Sequence, residues 1–94
     1  MKELIEKLDK QKDLESRDYY NLVYDFKFYE ETGEDGRWTR PMYTVAKLND
    51  RYFEVHWQKG LTELQEDYFD EYPVEVKIAD IREIKIKEYV FERI

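Results

Sequence analysis

YYNLVYDFKFYEE, residues 19–31, fits two periods at once. Tyr20, Leu22, Tyr24, Phe26 and Phe28 alternate as on one face of a strand. Tyr19, Leu22, Val23, Phe26 and Tyr29 recur as on one stripe of a helix. Periodicity leaves the choice open, but the aromatic enrichment and the turn that follows favour a strand. That turn is ETGEDGR, residues 31–37, where two glycines and an Asp-Gly step separate aromatic runs as in a hairpin connection. Its acids lack the alternating oxygen ligands and closing Glu of an EF-hand, so turn chemistry explains them better than calcium.

Downstream, WTRPMYTVAKL (38–48) also reads as a strand, with Pro41 implying an edge or a bulge. Asn49-Asp50 makes a tight reversal into RYFEVHWQ (51–58). There Phe53, Val55 and Trp57 face one way, and Tyr52, Glu54, His56 and Gln58 the other. A buried Trp57 and an exposed His56 follow. PVEVKI (73–78) and IREIKIKEYVFERI (81–94) alternate too. Their apolar phase shifts from Ile84 and Ile86 to Tyr89 and Phe91, which predicts a bulge near Lys87–Glu88. Upstream, residues 2–12 read as a short helix with Leu4, Ile5 and Leu8 on one stripe. Glu3–Lys7 and Glu6–Lys10 pairs support it, although three apolar residues predict a light anchor.

The 94 residues make one domain, 1–94, with 41% hydrophobic and 17% aromatic residues, enough bulk to close a small core. No cysteine is present, which excludes disulfides, thiolate metal sites and a Cys nucleophile. No stretch nears the roughly 20 apolar residues of a membrane span, and the start lacks the apolar run of a signal peptide. A cytoplasmic location is the expectation. With 23 acids against 16 bases the net charge is −7, which opposes direct nucleic-acid binding and favours a basic protein partner.

The densest run of carboxylates follows the third strand, in HWQKGLTELQEDYFDEYP (56–73). Thr62 and Gln65 have the spacing of a capping box, and a helix near 63–71 is expected, stopped by Pro73. On that helix Leu64, Tyr68, Phe69 and Tyr72 share one face. Glu63, Glu66, Asp67, Asp70 and Glu71 occupy the opposite one, with no base among them. These five are the candidate partner-binding residues. A single helix face cannot wrap an ion, so no metal or other cofactor is expected. His56 has Glu54 beside it but no nucleophile motif, and no phosphate-binding or zinc signature occurs, so an enzyme is not expected.

The expected fold is α+β: a mainly antiparallel five-stranded curled sheet or SH3-like barrel, with a short N-terminal helix and the helix near 63–71. The run Tyr52-Phe53, Val55, Trp57, Gly60-Leu61-Thr62-Glu63 and Gln65-Glu66-Asp67 resembles small proteins of phages and mobile elements from Gram-positive bacteria. The likeness covers residues 50–78 and brings no established activity. In size and acidity the chain is also similar to anti-CRISPR inhibitors and other DNA mimics, a likeness of composition alone. The resemblance implies a non-enzymatic acidic binding module, an inhibitor or DNA mimic engaging a basic, nucleic-acid-binding protein. The alternative is a structural or accessory protein whose acidity serves solubility.

Overall fold

The computed structural model describes residues 2–62, 65–83 and 87–94. Helix α1 spans Lys2–Asp9. Helix α2, Ser16–Tyr20, runs on into one π-helical turn over Asn21–Asp25. Five strands follow: β1 Lys27–Thr32, β2 Thr39–Leu48, β3 Arg51–Gly60, β4 Val74–Glu83 and β5 Lys87–Arg93. They form one antiparallel meander in the order β1-β2-β3-β4-β5, curled into a half-barrel.

The opening stretch divides between its two periods. Residues 19–25 are helical and only 27–32 are a strand, which corrects the expectation of a strand from residue 19. The reason lies at Leu22 and Val23, adjacent residues both 0% exposed. Neighbours on a strand point to opposite faces, whereas on a helix they can share a stripe. The helix stops where Phe26 N–H closes the π turn on the Asn21 carbonyl and the Phe26 carbonyl accepts Lys47 N–H of β2. From there the chain belongs to the sheet.

α1 buries Leu4 and Leu8 in the main core, a firmer anchor than three apolar residues suggest. Glu6 and Lys10 pair at 2.8 Å as expected, but Lys7 turns away from Glu3 to the buried Asp18, at 2.9 Å. That bond ties α1 to α2. Burial alone would raise the Asp18 pKa, but the Glu15 N–H and Lys7 outweigh it and hold the carboxyl below its ordinary value.

The helices cover one face of the sheet, where Met42, Ala46, Leu48, Phe53, Val55 and Trp57 meet Leu4, Leu8, Leu22 and Val23. Within this core Trp57 Nε1 donates to Thr44 Oγ1 at 2.9 Å, and Thr44 donates on to Glu30 at 2.9 Å. Among the described residues no buried side-chain polar atom lacks a partner, as burial demands. On the opposite, concave face lie Val45, Glu54 and Val76, with aromatic rings at the rim. Phe28 of β1 reaches Phe91 of β5 at 6.4 Å between centroids, and Tyr29 reaches it at 5.3 Å. The two edge strands therefore meet through side chains. This is a curled sheet rather than a closed SH3-like barrel.

Asn49 takes φ 58°, the left-handed position that the Asn49-Asp50 reversal requires. Pro41 lies inside β2, which has strands on both sides. Its carbonyl accepts Gly33 N–H just beyond the end of β1, so its missing N–H faces the place where that strand turns away. The register irregularity predicted near Lys87–Glu88 falls instead on β4, between Ile78 and Asp80. β4 itself extends to Glu83, so residues 81–83 belong to it and not to the fifth strand.

Candidate functional site

The acidic stretch is a strap, not a helix. Of the expected helix, Glu63 and Leu64 lie outside the described residues, and residues 65–72 have no helical turn. Where a capping box was expected, Gln65 N–H bonds to the Thr62 carbonyl at 3.1 Å. Tyr68 exchanges two backbone hydrogen bonds with Gln58, at 2.8 and 2.9 Å, beyond the point where β3 pairs with β4. The Phe69 ring then lies between Tyr19 and Trp57, stacked on each at 4.9 and 5.2 Å. Tyr72 OH donates to the Lys7 and Lys12 carbonyls beside α1.

The physical reason for this correction is competition. A nine-residue helix is marginal by itself, and like charges at i,i+4 weaken it further. Tyr68, Phe69 and Tyr72 each gain more from a separate tertiary partner than from sharing one helical face. Gly60 permits the sharp entry, since a Cβ there would stand 2.1 Å from the Gln65 carbonyl oxygen.

The strap separates the roles of the acids. Asp67 is structural: its Oδ1 accepts Gly60 N–H at 2.9 Å, and its Oδ2 faces the Tyr24 hydroxyl at 3.4 Å. Glu66, Asp70 and Glu71 are exposed and form no ion pair among the described residues. Elsewhere the carboxylates divide: Asp35 is matched by Arg40, and Asp9 and Glu75 by Arg51, whereas Glu3, Asp13, Asp25, Glu34 and Asp50, scattered along the chain, also form no ion pair among the described residues. Tyr20 and Tyr24 flank the strap, stacked at 5.9 Å, and with Tyr68 they rank among the exposed large side chains. Burial first, and then the charge on Asp67, holds both Tyr20 and Tyr24 phenols above their ordinary pKa. Reading residues 19–25 as a strand hid these two tyrosines. The helical set in the same stretch was the signal that could have placed them here.

The second cluster lies on the concave face. Glu54, expected on a solvent-facing side of β3, is 6% exposed and held by Arg93 Nε and by Tyr43 OH at 3.1 Å. Burial, followed by the Glu54 hydrogen bond and charge, pushes the Tyr43 phenol well above its ordinary pKa. His56 is half-exposed, with Nε2 3.6 Å from Glu54 Oε1, beyond hydrogen-bond reach, and its ring meets Tyr43 edge-on at 5.0 Å. The Tyr43 hydroxyl beside this histidine is therefore committed to the Glu54 carboxylate.

Among the described residues no three His, Asp or Glu side chains are placed to hold a metal ion, and no helix is long and apolar enough to cross a membrane. Comparison of the chain with protein-family models, curated proteins and solved structures gave no match.

Proposed function

We propose that this chain is a non-enzymatic binding module that presents an acidic, tyrosine-lined strap to a basic protein. The observation that carries the reading is the clustering of unpaired acids beside exposed tyrosines on one short segment. Glu66, Asp70 and Glu71 have no cationic partner among the described residues, while three exposed tyrosines stand beside them. Unmatched like charges crowd one another, and a Lys/Arg-rich surface relieves that crowding on contact. The sharpest form is mimicry of DNA, in which the carboxylates replace phosphates on a nucleic-acid-binding enzyme. Glu63 belongs to the same acidic run by sequence.

The test is reversal of Glu66, Asp70 and Glu71 to lysine, leaving Asp67 in place because it anchors the strap. Wild type and the triple variant are titrated against a panel of DNA-binding enzymes at two salt concentrations. Loss of binding by the folded variant, steep weakening of wild type with salt and competition by DNA are the expected results. Unchanged binding by the variant, with no salt dependence, favours the alternative of an accessory protein whose acidity keeps it soluble.

A further inference from the structure

The strap and the adjoining ends of β2 and β3 enclose a depression of about 530 Å³ walled by Thr39, Gln58, Gln65, Glu66, Asp67 and Tyr68. Among the described residues no lysine or arginine lines it. Its walls are rich in hydrogen-bond acceptors: two carboxylates, two amide oxygens and the hydroxyls of Thr39 and Tyr68. Thr39 Oγ1 already donates to Gln58 Oε1 at 3.3 Å, and Asp67 serves Gly60 and Tyr24. Glu66 has no such commitment among the described residues. Tyr68 is 60% exposed although its backbone is fixed to Gln58 on both sides, so its ring is presented by a rigid segment.

Carboxylates alone would attract any cation. The exposed ring and the Gln58 amide oxygen, held by Thr39, ask for a flat one. A guanidinium is planar and weakly hydrated. It can lie on a tyrosine face while its fork donates to a carboxylate and a neighbouring amide. An ammonium is compact and strongly hydrated, and gains little from a ring it cannot cover. We propose that this depression receives an arginine side chain of the partner, with Glu66 accepting the guanidinium fork and the Tyr68 ring stacking against it. The inference rests on the basic-partner reading above and adds which basic side chain the surface selects.

The probes are two capped hexapeptides of equal charge, one of arginine and one of lysine, titrated into the intact protein at low salt. The arginine peptide is expected to bind tighter by roughly fivefold or more. Tyr68→Ala should erase that preference and Tyr68→Phe should keep it, while Glu66→Gln should weaken the arginine peptide more than the lysine peptide. Circular dichroism of each variant reports folding, which the exposed Tyr68 side chain does not govern. Equal affinities for the two peptides overturn the arginine pocket and leave the basic-partner reading standing. Binding by neither peptide overturns both. An arginine preference that survives Tyr68→Ala also overturns the pocket.

Discussion

Trp57 and His56 are neighbours with opposite fates. The indole is 2% exposed, stacked on Phe69 and bonded to Thr44, whereas the imidazole is half-exposed at the rim of the concave face. Trp57→Ala should therefore cost about 3–5 kcal/mol, as deletion of a packed aromatic does. His56→Ala should stay below about 1 kcal/mol. Chemical denaturation of the two variants checks the order, and a larger loss at His56 would contradict the packing described. Tyr43 adds a pH dependence. Its folded pKa lies above the unfolded value of about 10, so the neutral phenol contributes fully below that pH. The contribution is lost as pH rises through the folded value. Stability should accordingly fall above about pH 10, and Tyr43→Phe should make that fall shallower, since Tyr19, Tyr20, Tyr24 and Tyr72 are raised as well. Unfolding midpoints measured across the alkaline range would show it.

Among the elements, the strap depends most on a single side chain. Phe69 sits between Tyr19 and Trp57 but remains partly exposed, so Phe69→Ala should cost about 2–3 kcal/mol, somewhat under a full core deletion. Because the Tyr68 bridge sits one residue away, the same variant should also speed amide exchange at Tyr68 and Gln58. Protection unchanged at those two amides would mean that the backbone bonds hold the strap unaided. The strands were legible because residues 39–48 and 51–58 alternate as a sheet with one apolar face against the helices requires, although Val45 and Glu54 are buried on the other face as well, and Asn49-Asp50 marks its own turn. The strap was not. Its apolar residues keep helical spacing, yet they are claimed by Gln58, by the Tyr19–Trp57 slot and by two carbonyls near α1, none of them local in sequence. The candidate acids were legible as a group, but the division between anchoring Asp67 and unpaired Glu66, Asp70 and Glu71 required the strap's path.

Across the whole molecule every strand pairs with its neighbour in the chain, and this has a kinetic consequence. Apart from the strap between β3 and β4 the connections are short in sequence, so the meander can grow outward from the Asn49-Asp50 hairpin without a costly early loop. The ring contact of Phe28 with Phe91 joins the first and last strands and can form only after the meander is in place. It belongs to the late side of the barrier. Phe91→Ala should then hasten unfolding while leaving the refolding rate nearly unchanged, a split that stopped-flow chevrons resolve. The rings that join the edges would act as a clasp on the lifetime of the native state, with little influence on how fast that state is reached.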